Sequence, residues 1–157
     1  MCSSDLNLYT VLYTVPLDEL VCELTESCPA GCRCVHRPAN ATLHIYCSNT
    51  NLTVLPFVLP GLPKSYTKYK LDFSNNRHLR RLEYRDYFVN TSVLDVSNCN
   101  LDSIDFVMWL KLANITQVFL AGNRLHSLPS SVATVDTLAL SEIRGNVLVT
   151  PAGCQIG

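Results

Sequence analysis

The chain has 157 residues, of which 48% are hydrophobic and 16% charged, with a formal net charge of -1. So large an apolar share excludes a disordered tail, and a balance near zero gives no electrostatic case for nucleic acid or an anionic membrane surface. Eight cysteines in a chain of one domain's length point to an extracellular scaffold rather than a cytosolic enzyme.

The first apolar run, Leu6 to Leu24, is interrupted by Pro16, Asp18 and Glu19, so it does not read as a transmembrane helix. It also fails as a secretory leader, because it has no basic start and carries Cys2 and Asp5. Four N-x-[ST] sequons, at Asn40, Asn51, Asn90 and Asn114, nonetheless favour passage through a glycosylating compartment. Secretory features without a leader read as a piece of a longer chain, cut at both ends.

Next comes Cys28-Pro29-Ala30-Gly31-Cys32-Arg33-Cys34, with Cys47 following after twelve residues. Four cysteines allow three pairings. Zinc is the alternative, since four thiolates can bind it and His36 is near. Structural zinc sites present paired C-x2-4-C knuckles, which this spacing lacks, so disulfides are favoured. Cys2 and Cys22 form a separate early pair, Cys99 reads as a free core thiol and Cys154 has no evident partner.

From Leu71 onward a pattern returns. An apolar-x-apolar pair is followed, after two residues, by Asn or Cys and then another apolar position. The copies are Leu71-Asp72-Phe73-Ser74-Asn75-Asn76, Leu94-Asp95-Val96-Ser97-Asn98-Cys99 and Val118-Phe119-Leu120-Ala121-Gly122-Asn123. A weaker fourth starts at Leu138-Ala139-Leu140, with Ile143 where Asn is expected. The starts lie 23, 24 and 20 positions apart, within the period of leucine-rich repeats. The apolar pair puts two side chains on one face of a short strand, and the Asn amide can satisfy backbone groups where the chain turns out of it. A β-sandwich would also supply amphipathic strands, but it does not ask for Asn or Cys at a fixed offset. The expected fold is an α/β leucine-rich-repeat solenoid with a short curved parallel sheet, an irregular convex side and a disulfide-bonded N-terminal cap.

C-x3-C-x-C-x12-C leading into such repeats resembles the N-terminal cap of extracellular leucine-rich-repeat proteins. The arrangement is similar to arthropod Toll receptors, in which a C-terminal cap is followed at once by a second N-terminal cap and a short repeat block near the membrane. Cys2 and Cys22 resemble the last cysteines of that first cap. The resemblance implies residues 1–24 as the remnant of a preceding C-terminal cap, 28–56 as the N-terminal cap, 57–140 as three to four repeats and 141–157 as an atypical tail. It also implies the pairings Cys28–Cys34 and Cys32–Cys47. Two departures stand out. Gly145-Asn146-Val147-Leu148 replaces the family's closing Gly-Asn-Pro-Trp with its C-x-C pair, and no transmembrane helix or TIR domain is present. The stack is therefore expected to end under an inadequate lid over Leu120, Leu138 and Leu140.

No nucleophile, metal-protease or phosphate-loop motif occurs. Asp72 and Asp95 hold equivalent positions in adjacent strands, but an open sheet gives no pocket in which to shift a carboxyl pKa. The chain is read as no enzyme, without cofactor or metal. Solenoids bind through their concave faces, which makes Lys70, Asp72, Ser74, Val93, Asp95, Ser97, Gln117, Phe119 and Ala121 the outward candidates, with Phe119 an exposed aromatic. The resemblance implies a receptor ectodomain on the extracellular side of the plasma membrane. It would take a cytokine-like protein ligand or self-associate, in innate immune or developmental signalling, with membrane anchoring only through segments absent from this chain. The alternative is a secreted leucine-rich-repeat matrix or decoy protein.

Overall fold

The computed structural model describes residues 20–112, 114–125, 148–149 and 155–156. Expectations for residues 1–19, for Leu138, Leu140 and Cys154, and for the closing lid lie outside the described residues.

Six strands form one sheet in the order of the chain. They are β1 (Cys22–Leu24), β2 (Arg33–Arg37), β3 (Thr42–Tyr46), β4 (Lys68–Asp72), β5 (Thr91–Asp95) and β6 (Gln117–Phe119). The first three pair antiparallel, and β3 to β6 run parallel. The apolar positions line up across the parallel part as Ile45, Leu71, Leu94 and Val118, and all four are buried. Their neighbours Lys70, Asp72, Val93, Asp95 and Phe119 are half-buried on the opposite face, as the two-residue period of a strand requires. The result is a leucine-rich-repeat solenoid under a disulfide-bonded cap. The strands start earlier than the sequence pattern suggests. Phe73 lies just past β4, and its N–H continues the ladder by donating to the Asp95 carbonyl at 2.8 Å.

Beyond each parallel strand the chain turns through left-handed backbone at Asn49, Asn75, Asn98 and Gly122. Asn tolerates that region better than other side chains do. Gly122 is required on two counts, a φ of +71° and a Cβ position that would collide with the Asn98 side chain.

The next position is the polar slot of the repeat. Asn76 accepts from the N–H groups of Thr50 and Leu52, each at 3.0 Å, and donates to the carbonyls of Cys47 and Phe73 at 3.0 and 2.8 Å. Asn123 repeats this one block on, accepting from Leu101 N–H and donating to the Val96 and Leu120 carbonyls. Cys99 stands in the same slot between them, its thiol 3.3 Å from the Phe73 carbonyl.

The convex side is irregular. Among the described residues it has a 3-10 turn over Asp86–Asn90 and a short helix, α1 (Phe106–Leu112), whose first turn is capped by Asp105 accepting from Met108 N–H at 2.7 Å. Farther along the chain, Leu148–Val149 pairs antiparallel with Gln155–Ile156. Between β3 and β4 no regular structure forms, and side chains satisfy the carbonyls instead. Arg85 donates to the Leu55, Pro56 and Tyr84 carbonyls at 3.1, 3.3 and 3.1 Å. The Tyr87 and Tyr69 hydroxyls donate to the Pro56 and Pro60 carbonyls, each at 2.6 Å.

The Arg85 side chain is only 9% exposed, so removing it strands carbonyls in a closed space. Arg85→Met should therefore lower stability by about 2–4 kcal/mol, and Arg85→Lys, with one compact ammonium, should recover only part. Urea unfolding measures this. A Met variant as stable as the parent would show that the loop does not depend on Arg85.

Candidate functional site

The concave face is built in rows by the sheet register. One row reads Arg33, Tyr46, Asp72, Asp95 and Phe119, and the row beside it reads Val35, His44, Lys70, Val93 and Gln117. The structure thus sets six of the sequence-derived candidates, Lys70, Asp72, Val93, Asp95, Gln117 and Phe119, side by side on one continuous surface. Phe119 is half-buried rather than exposed, and Gln117 is exposed.

Ser74 departs from the expectation of an outward position. It is 7% exposed, covered on the side where its hydroxyl meets the Asp72 carboxylate. Its hydroxyl and N–H both donate to Asp72 Oδ1, at 2.6 and 3.1 Å. Ser97 does the same with Asp95, at 2.6 and 2.9 Å. One oxygen of each aspartate therefore holds its own turn closed. Among the described residues, no hydrogen bond or ion pair reaches the other oxygen of either carboxylate.

The cap adds a part of this face that the repeat motif does not mark. His44 stacks on Tyr46 with ring centroids 3.8 Å apart and planes 18° from parallel. Arg33 lies 5.9 Å from the centroid of the Tyr46 ring and bonds Glu23 at 2.7 Å. Desolvation by burial holds the His44 imidazole down at about 4; Lys70 and Arg37 add to the effect and Asp72 opposes it. The available sequence signal was the alternation Thr42-Leu43-His44-Ile45-Tyr46, which continues the sheet pattern without the leucine repeat.

In the cap, Cys28 is bonded to Cys34 and Cys32 to Cys47. All four sulfurs are thereby occupied, which leaves no thiolate there for zinc. Cys22 is also disulfide-bonded. Among the described residues no group of three His, Cys, Asp or Glu could hold a metal. His36 is buried, and burial lowers its pKa. Cys99 is a free, buried cysteine, and burial pushes its thiol up to about 11. Asn40, Asn90 and Asn114 lie just before β3, β5 and β6, along one rim of the sheet, and Asn51 lies beyond the other end of β3. Asn40, Asn51 and Asn114 are exposed and Asn90 is half-buried. A groove of about 810 Å³ on the convex side is lined by Leu82, Tyr84, Asp102, Val107, Met108 and Lys111, among others.

Two outcomes follow from the buried groups. The unfolded chain protonates His44 near pH 6.5, whereas the folded chain resists until about 4. Stability contributed by neutral His44 is thus present above pH 6.5 and lost as pH falls toward 4. His44→Gln should flatten that part of the acid slope in melting temperature relative to the parent, and an unchanged slope would exclude the assignment. The second concerns the polar slot. Cys99→Asn should fold at least as stably as the parent, whereas Cys99→Leu should lose about 1–3 kcal/mol, because turn groups lose a polar partner. A Leu variant with the parent's unfolding midpoint would contradict the slot's role.

Residues 27–60 match the leucine rich repeat N-terminal domain family. No curated protein shows significant similarity to the chain. Two solved structures do: the Toll–Spatzle complex, a molecular hub in Drosophila development and innate immunity, and its glycosylated form. In each, the similarity has 29% identity and a TM-score of 0.67, and covers 88% of this chain but 18% of the matched chain. Among the described residues no helix is long and apolar enough to cross a membrane. A disulfide-bonded cap opening onto an asparagine-stapled repeat stack thus makes the chain similar, over 88% of its length, to a part of the Toll–Spatzle complex.

Proposed function

We propose that the chain is a ligand-binding and dimerisation part of a Toll-like transmembrane receptor, acting on the extracellular side of the plasma membrane in innate immune or developmental signalling. Residues 28–56 are its cap, 57–140 its repeats, 1–24 the close of a preceding block and 141–157 its tail. The partner is a cytokine-like protein or a second receptor, and the chain carries no catalysis. Asn40, Asn51, Asn90 and Asn114 carry N-linked glycans.

One observation carries this reading: the concave face runs unbroken from the cap to the third repeat strand, with Tyr46 and Phe119 flanking Asp72 and Asp95. Aromatic side chains on a rigid sheet are the groups most often found as anchors of protein interfaces. The similarity to a structure that contains Spatzle supports a protein ligand.

Recombinant Spatzle is the probe, with self-association followed in parallel by analytical ultracentrifugation. The Tyr46→Ala, Phe119→Ala double variant should weaken whichever association the parent shows by roughly tenfold or more. Val107→Ser, exposed on the convex helix, should leave it unchanged. A parent that neither binds Spatzle nor self-associates, or a double variant with parental affinity, would refute the assignment to this face.

A further inference from the structure

The rim at the C-terminal ends of the strands has a different character from the concave face. Positions equivalent by register, one residue past the polar slot, are Asn51, Arg77, Asn100 and Arg124. Arg77 and Arg124 are both exposed and stand two strand spacings apart, about 10 Å. The segments that form this rim, 47–52, 73–79, 96–101 and 120–125, contain no Asp or Glu. After Arg77 the chain continues His78-Leu79-Arg80-Arg81. Leu79 is fully buried and Leu82 nearly so, while Arg77, His78, Arg80 and Arg81 are all exposed. The two leucines pin the backbone, and Arg81 is held further by a parallel bridge to Ser103. Four basic side chains within five residues are thus displayed from a fixed segment.

These cations are not spent within the molecule. Among the described residues the salt bridges are Arg33–Glu23 and Arg85–Glu83, and neither involves Arg77, Arg80, Arg81 or Arg124. The nearby acids Glu83, Asp102 and Asp105 line the convex groove together with Arg80 and Arg81, and each has another contact. Glu83 faces Arg85 at 3.6 Å, Asp105 caps α1, and Asp102 accepts from Ser103 at 3.4 Å. Three of the four sequons lie on the opposite rim, so glycans there leave this edge uncovered. Asn51 is the exception, one strand toward the cap, which directs an extended ligand away from the cap toward Arg124.

We infer that Arg77, His78, Arg80, Arg81 and Arg124 form a binding site for a sulfated polysaccharide of the heparan-sulfate class. Guanidinium forks recognise sulfate oxygens in pairs, and a linear polyanion can follow charges set along a rim. Leu79 and Leu82 are buried, and the exposed Tyr84 and Val107 beside Arg80 and Arg81 line a groove shared with three acids, a poor surface for an anionic bilayer; the vesicle arm of the test separates the two ligands. The choice of a sulfated ligand rests on the extracellular reading above.

The whole chain is tested on immobilised heparin against a sulfonate cation exchanger, and in solution with a heparin dodecasaccharide. The parent should need more salt to leave heparin than to leave the exchanger. Arg77→Ser, Arg80→Ser, Arg81→Ser together should weaken dodecasaccharide binding roughly tenfold, while Arg37→Ser, Lys68→Ser, Lys70→Ser, with the same change in charge on the concave face, should change it less than about twofold. Arg124→Ser, on a separate repeat, gives an independent reading of roughly threefold should the triple variant fail to fold. Equal losses in the two triple variants, elution from heparin no later than from the exchanger, or equally tight binding to phosphatidylserine vesicles would each overturn the site. Spatzle binding or self-association by the Arg77/Arg80/Arg81 variant should stay at the parental level, so this site and the concave face fail or stand separately.

Discussion

The carboxamide of Asn76 is the contact on which the rest of the molecule depends. A solenoid of this kind must bend its backbone sharply at the end of every strand, and it does so with those turns inside the protein. Each turn exposes N–H and C=O groups where water cannot reach them, and leaving one unpaired costs about 1–3 kcal/mol. Asn76 answers groups of the cap, through Thr50, Leu52 and Cys47, and of its own turn, through Phe73. It therefore does more than close a turn, since it fixes the cap against the first repeat. Asn123 joins the second and third blocks in the same way. Cys99 is the weak rung. A thiol offers one poor donor where an amide offers two good ones, so the joint between the first and second repeats leans more on packing.

That ladder explains why the convex side can be irregular. With the turns stapled and the core face filled by the buried apolar residues of each strand, the returning segment has only to cover the core and satisfy its own carbonyls. Between β3 and β4 it does so with a proline-rich loop whose carbonyls are taken by Arg85, Tyr87 and Tyr69. Between β5 and β6 it does so with α1. Cations from one block also lie over aromatics of the block before, Arg85 4.2 Å from the Phe57 ring centroid and Lys111 5.1 Å from that of Tyr84. These contacts tie neighbouring blocks together at the surface as the asparagines do inside.

The legible part of this structure was whatever repeats. Asn or Cys at a fixed offset after an apolar pair is a physical demand of the turn, so three copies of the pattern disclosed the solenoid, its register and the equivalence of Asp72 with Asp95. What the sequence hid is local or non-repeating. Ser74 follows Asp72 at a spacing that reads as another outward strand position. It is covered instead, because its hydroxyl and N–H close onto the Asp72 carboxylate, and where a strand ends is not fixed by alternation. Tyr46, His44 and Arg33 belong to the cap, whose strand carries the right alternation without the leucine signature. Arg85 looks like a surface charge in a polar stretch, because its role is set by carbonyls 29 and 30 residues upstream. No nearby residue signals that distance.

The same repeat therefore generates two surfaces of different chemistry from fixed positions. Residues flanking the apolar pair must point to the concave face, where they lie in rows on a rigid sheet and can be aromatic, acidic or amide at little cost to the fold. The residue just past the polar slot leaves the core at the rim, exposed at Asn51, Arg77 and Arg124 and half-buried at Asn100, and charge is tolerated there. A substitution at one position leaves the other in place, because the buried slot stands between them in sequence and behind both in space. Additivity is expected of sites separated in this way. A chain built on this period can thus change the chemistry of its concave face without disturbing the charge on its edge.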